Sequence, residues 1–194
     1  DGEITFTGSV PTNASNYEVI TLGGGAGSVD ISSTGTADIL FTVVDNIYEA
    51  FDGISLNSGT IESTSSGNIT FDGIGRQDVS VAFGINFGGG TVQATDTGSI
   101  TINGTVIDAT ASNGVITDTA NTINVMDGDL NITGVADGLF AVDLDGDITS
   151  AGAGDIIVTG HPTLYTGTGS GVRMAGTITT TSTGNISVTG SGGN

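Results

Sequence analysis

The residues best equipped for chemistry in this chain are its carboxylates. Asp143-Leu144-Asp145-Gly146-Asp147 sets three of them at alternate positions, on one side of the chain if the segment is extended. Hard oxygen donors suit Ca2+, and a DxDGD string is the front half of many calcium loops. Asp127-Gly128-Asp129 makes a second, smaller cluster. Two features weigh against a calcium loop. Where such a loop closes with a bidentate Glu, this chain has Gly154. In GGGAGSVDI at 23–31, Val29 stands where the Asp of a GGxGxD phrase belongs. A cation held by Asp143, Asp145 and Asp147 is one reading, and a solvated acidic bend is the plainer one.

Catalytic pairings are sparse. An eliminating enzyme needs a basic proton acceptor, and the candidates are Arg76, Arg173 and His161. Only Arg173 and His161 fall in the same stretch of chain, and His161 precedes Pro162 in a GHPT bend, an ordinary turn position. A glycoside hydrolase needs two carboxylates facing one groove, and with 21 acids along the chain some pair meets by chance. The absence of Cys removes disulfides, thiolate metal sites and cysteine nucleophiles. No catalytic residue is assigned, and the chain is expected not to be an enzyme. Asn13, Asn68, Asn103, Asn131 and Asn185 each open an N-glycosylation acceptor triplet. Asn68 and Asn185 share a repeat position with Asp129 and Asp155, so a stacked polar ladder explains them equally well.

Charge narrows the partners. Two cations face 21 acids, for a formal net charge of −19. Nucleic acid and anionic membrane surfaces would repel such a chain, and no apolar run approaches the roughly 18 residues of a spanning helix. No basic-then-apolar leader precedes Asp1, so any signal peptide lies outside this sequence.

The elements that would carry these groups are legible from repetition. A phrase beginning with Gly and alternating apolar with polar residues reads GEITFTG from Gly2, GNITFDG from Gly67 and GSITING from Gly98. It returns as GDLNITG from Gly128, GDIIVTG from Gly154 and GNISVTG from Gly184, with a looser copy, GTADILFT, from Gly35. The starting glycines lie 33, 32, 31, 30, 26 and 30 residues apart. A second phrase, such as GTIESTSSG at 59–67 or GTITTTSTG at 176–184, precedes each restart, and a variable apolar stretch separates the two. Val, Ile and Thr make up 68 of 194 residues, Lys is absent, and strong helix formers are scarce.

Three short strands per repeat cannot bury their own apolar side, and stacking the repeats can. The expected fold is all-β: a right-handed parallel β-helix with three strands per coil of about 30 residues, six coils plus one strand. Residues 1–194 form a single β-helix domain in this reading, with coils starting near Gly2, Gly35, Gly67, Gly98, Gly128, Gly154 and Gly184. The hand follows from the crossover rule. Ile4, Ile39, Ile69, Ile100, Leu130, Ile156 and Ile186 should form one interior ladder. Phe6, Phe41, Phe71, Ile102, Ile132, Val158 and Val188 should form a second, and Val29, Ile61, Val92, Ile123, Ile148 and Ile178 a third. Thr5, Thr70, Thr101, Asn131 and Ser187 then face water. Gly at each bend would supply positive φ. A β-sandwich explains the strand density but not the period.

Repeated GxIxVxG and GTIxxTxTG phrases, rich in Thr, Ser, Asn and Gly and without Cys, resemble the passenger regions of secreted bacterial surface proteins, the filamentous-haemagglutinin-like and autotransporter adhesins. The repeats here are longer than the roughly 20-residue coils of filamentous haemagglutinin. The resemblance implies an exported, elongated, non-enzymatic protein of the cell surface, serving as a filament, adhesin or matrix layer, with glycans of the cell surface as candidate partners. Neither end carries a capping helix, which fits either a piece of a longer passenger or head-to-tail self-association, and some form of axial assembly is the expectation. Six coils would advance a fibre by about 29 Å per subunit. A carbohydrate-binding or carbohydrate-cleaving β-helix is the alternative, for which Tyr17 and Tyr48 occupy equivalent positions. An ice- or mineral-binding solenoid is a further one. It needs ranked Thr or Asp; TITTTST at 177–183 suggests it, and TVQATDT and DITSAGA interrupt the rank.

Overall fold

A computed structural model of the chain describes residues 2–9, 18–24, 27–44, 52–76, 81–107, 112–136, 138–162 and 169–192. Within them the chain is all-β. The first coil comprises β1 (Glu3–Gly8), β2 (Ile20–Leu22) and β3 (Val29–Ser33). The second comprises β4 (Asp38–Val43), β5 (Asp52–Leu56) and β6 (Gly59–Ser63), and the third β7 (Ile69–Arg76), β8 (Phe83–Phe87) and β9 (Gly90–Ala94). β10 (Ile100–Ile107), β11 (Asn113–Thr117) and β12 (Asn121–Val125) make the fourth coil, and β13 (Leu130–Ala136), β14 (Phe140–Leu144) and β15 (Asp147–Ser150) the fifth. The sixth holds β16 (Ile156–Pro162), β17 (Ser170–Met174) and β18 (Ile178–Thr180), and β19 (Ile186–Gly190) begins a seventh.

Every third strand pairs in parallel with its counterpart one coil on. The first sheet runs β1-β4-β7-β10-β13-β16-β19, the second runs from β2 to β17, and the third from β3 to β18. This is the three-strand β-solenoid that the period required.

The register reproduces two of the three expected ladders residue for residue. Ile4, Ile39, Ile69, Ile100, Leu130, Ile156 and Ile186 stack in the first sheet, and the Phe6-to-Val188 column lies beside them. From Ile39 to Ile156, and from Phe41 to Val158, these side chains are at most 1% exposed. Each such aliphatic side chain contributes about 1.5–3 kcal/mol by leaving water. Phe6, Phe41 and Phe71 stack face to face at 4.8 Å with interplanar angles of 9° and 8°, so successive coils here differ by almost pure translation.

The third ladder differs at its start. Ile31, not Val29, pairs with Ile61, and Val29 lies opposite Gly59. The second coil is shifted likewise. Ile39 pairs with Ile69, which puts Ala37, and not Gly35, at the place of Gly67. In this register a Cβ on Gly67 would lie 2.1 Å from the Ala37 carbonyl oxygen, so the close contact between these coils is made against Ala37.

That contact also corrects the role given to glycine. Among the described residues, positive φ occurs at Gly23 and Gly24 and at Gly59 and Gly90, which open two copies of the second phrase, and at none of the glycines that open the first. Those are needed for close approach instead: a Cβ on Gly98 would meet the Gly67 oxygen at 2.2 Å, and one on Gly128 the Gly98 oxygen at 2.0 Å. The glycine that closes the phrase does the same within one coil. A Cβ on Gly104 would lie 2.0 Å from the Gly114 oxygen, where the first sheet meets the second. Both ends of the repeated phrase are thus written by backbone-on-backbone packing.

The connections are unequal. Those from first to second sheet span 3–11 residues, those from second to third 2–6, and those from third back to first only 4 or 5.

Candidate functional site

The polar residues that could do chemistry are mostly engaged between coils. At the corner before the first sheet, Asp38, Asn68, Ser99, Asp129, Asp155 and Asn185 form one column. Each side-chain oxygen accepts the backbone N–H of the next member, at 2.7–3.1 Å. The Asn68 and Asn185 amides also donate to Asp38 and Asp155. The stacked polar ladder expected for these asparagines is therefore present. Asn103 donates its side-chain amide to Asp72 at 2.7 Å. Asn13 lies outside the described residues, as do Tyr17, Tyr48 and Tyr165.

The Asp143–Asp147 string does not run as one extended strand. Asp143 sits in β14, the chain turns at Asp145-Gly146, and Asp147 opens β15, because the corner between second and third sheets falls there. In-register pairing sets Asp143 opposite Arg173. The Arg173 Nε donates to Asp143 at 2.5 Å, its Nη2 donates to both Asp145 oxygens at 2.8 Å, and its guanidinium lies 5.2 Å from the Phe140 ring centre. Asn113 donates to the other Asp143 oxygen at 3.3 Å. Burial pushes the Asp143 carboxyl above its ordinary range against the pull of Arg173, and the carboxylates hold the Arg173 pKa above its usual value. Asp147 accepts the Thr177 N–H at 3.3 Å. The three expected calcium ligands are thus divided between a guanidinium and a backbone amide. Among the described residues no group of three or more His, Cys, Asp or Glu is placed to hold a metal ion.

His161 and Arg173 engage different partners. His161 Nδ1 lies 3.2 Å from the Ser191 hydroxyl of the next coil, whereas Arg173 holds Asp143 and Asp145. A shallow groove of about 260 Å³ on the third sheet is lined by Asp30, Ile31, Ser32, Thr60 and Glu62. Its two acids are acceptors as well: Asp30 takes the Thr60 N–H at 3.0 Å, and Glu62 the Gln93 amide at 2.6 Å.

Sequence reasoning missed Asp52. It opens β5 at 5% exposure, with Asn86 donating to it at 3.0 Å and Ser55 at 2.9 Å. Burial, above all, raises its pKa; the nearby Glu18 adds to this, while the Asn86, Ser55 and Phe83 hydrogen bonds oppose it. A raised folded-state pKa means the native chain binds the proton more tightly than the unfolded chain. Stability from this site is therefore fully present below the ordinary carboxylate range and lost as pH rises through the folded value. Asp52→Asn can keep the Asn86 and Ser55 hydrogen bonds on its one amide oxygen, gives up the Phe83 one, and removes the charge. It is expected to raise the thermal midpoint by a few degrees at neutral pH, with the gain shrinking as pH falls toward 4 and below. A gain that is the same at all pH values would remove this account. No spacing marked Asp52, since it stands alone before GISL.

The outward side of the first sheet carries a different chemistry. Two water-facing columns run through all seven strands, from Thr5 to Ser187 and from Thr7 to Thr189, and the longer strands add Ile74, Arg76, Thr105, Ile107, Val135 and His161 beyond them. Of the fourteen positions in the two columns eight are Thr, joined by Asn103, Asn131 and Ser187, with Leu40, Ile157 and Asp72 as departures. All are exposed or half-exposed.

The fold and these contacts define a class: a parallel β-solenoid with three sheets, whose polar side chains tie coil to coil. Beyond that class, no known family model, no curated protein and no solved structure matches the chain.

Proposed function

We propose that the chain is a non-enzymatic structural element of an extracellular surface, a building block of a filament, adhesin or matrix layer that extends by axial stacking of coils. The observation that carries this reading is the coil-to-coil use of the acids and amides. The Asp38-to-Asn185 column and the Arg173 ion pairs serve stacking. The interior columns offer the same surface to a further coil, of this polypeptide or of a second copy. Ile186 and Val188 are 45% and 41% exposed at one end, and Ile4 and Phe6 are half-buried at the other. Parallel strands give the two end faces opposite polarity, so a second copy would add head to tail. Twelve polar residues among the fourteen outward positions on the first sheet and a net charge of −19 oppose lateral clumping and binding to nucleic acid or anionic membranes.

The test is negative-stain microscopy and sedimentation over a range of concentrations, with Ca2+ and with chelator. Rods that lengthen with concentration support the reading, and Val188→Lys, which sets a charge on the open column, should shorten them. Separate short rods under every condition would overturn axial assembly.

A further inference from the structure

We propose that the outward face of the first sheet binds ice. Three observations lead there. Charge is sparse on the two columns that run the full length of the face: Asp72 is the one acid among their fourteen positions, with Glu3 and Asp38 on one side of them and Arg76 and His161 on the other. The acids collect instead along the bordering corner, at Asp38, Asp129 and Asp155. A partner that sits on these two columns is therefore expected to be uncharged.

The face is also a lattice. Neighbouring strands are about 4.8 Å apart, and the two outward columns about 6.7 Å apart along the strand. Seven strands keep this register without slippage. The near-parallel Phe6, Phe41 and Phe71 rings show that the first three coils repeat by translation, so the rows above them stay ranked. A partner that matches such a face must itself be periodic.

The third observation is the identity of the side chains. A Thr hydroxyl offers one donor and two acceptor positions, three of the four hydrogen bonds a lattice water makes, and β-branching holds it in few rotamers. None of the fourteen outward positions carries an aromatic ring on which a sugar would stack, which favours water over a neutral crystalline glycan. The ranked face is not the one TITTTST suggested. The third sheet keeps a run of its own, Thr60, Thr91 and Thr122, but Asp30 and Asp147 bound it and Glu62 and Gln93 stand in the column beside it, whereas on the first sheet Thr133, Thr159 and Thr189 have only Asn131, Ile157 and Ser187 in the neighbouring column.

The experiment is partition of the full chain between a slowly growing polycrystalline ice front and the remaining liquid, with ice recrystallisation followed in parallel. The expected result is several-fold enrichment in ice and slowed grain growth. The double substitution Thr133→Tyr/Thr159→Tyr, which raises two bulky rings above the plane, should abolish both. Thr122→Tyr, outward on the third sheet, should leave both unchanged. Should the Tyr pair lose its strand circular dichroism, Thr133→Lys/Thr159→Lys replaces it with the same expectation. A chain that stays in the liquid, a face variant that partitions as well as the parent, or equal loss in Thr122→Tyr would overturn the proposal. So would retention on microcrystalline cellulose or chitin without enrichment in ice. None of these outcomes bears on axial assembly, which is read by rod length.

Discussion

Gly104→Ala is expected to cost about 3 kcal/mol, lowering the thermal midpoint by roughly 6–12 °C. The methyl would sit 2.0 Å from the Gly114 oxygen and 2.6 Å from its carbonyl carbon, and neither is the movable end of a side chain. Relief would require the first and second sheets to part at that corner. The neighbouring coils repeat the same contact at Gly73 and Gly134, which hold them in place against such a shift. Gly35→Ala is the control, since nothing lies within 4 Å of its would-be Cβ. That substitution should leave the midpoint unchanged or raise it slightly by stiffening the unfolded chain. Thermal unfolding followed by far-UV circular dichroism checks both. Equal effects at the two glycines would refute close packing as the reason for the repeat.

Phe41→Ala should cost about 3–5 kcal/mol, with a fall of about 10 °C or more. Phe41 is fully buried and stacked on both sides, against Phe6 and Phe71 at 4.8 Å. Truncation removes its transfer energy and leaves a void in a column whose backbone spacing is fixed by strand pairing and cannot close. Phe41→Leu, which refills most of the space, should lose less than half as much. Because each coil touches only its neighbours, the damage should be local. Hydrogen exchange should quicken in coils one to three and stay slow around Ile132 and Val158, and uniform acceleration would contradict a nearest-neighbour stack.

Most of the fold could be read in the chain because period-2 alternation and a period near 30 are independent constraints that agree. Together they left one register for the Ile and Phe columns. The register failed where the phrase was imperfect. Gly35 imitates a phrase-opening glycine, but the close contact is backbone against Ala37, and a methyl-bearing residue had no pattern to announce it. The Asp143–Asp147 string misled for a related reason. Its spacing suits an extended segment, and the corner at Asp145-Gly146 follows from stacking against the neighbouring coils. Arg173 reaches these acids from 28 and 30 residues away, and only the in-register pairing brings them together. Asp52 left no trace in the sequence, since burial of one acid depends on what packs over it. The ranked hydroxyls of the first sheet were visible one strand at a time as TFT or ITG, but rank is a property of register across coils.

The unequal connections have an architectural consequence. Lengths between the first and second sheets drift from 3 to 11 residues while the strands on either side keep their pairing. Closing a longer loop adds entropy cost only logarithmically, so sequence can be gained or lost at that edge without disturbing the columns beneath. One ridge of the molecule is in effect a rack on which new peptide can be hung, coil by coil, while the other two edges preserve the gauge. Grafted epitopes or affinity tags belong between Ile107 and Asn113, where five residues already separate the strands.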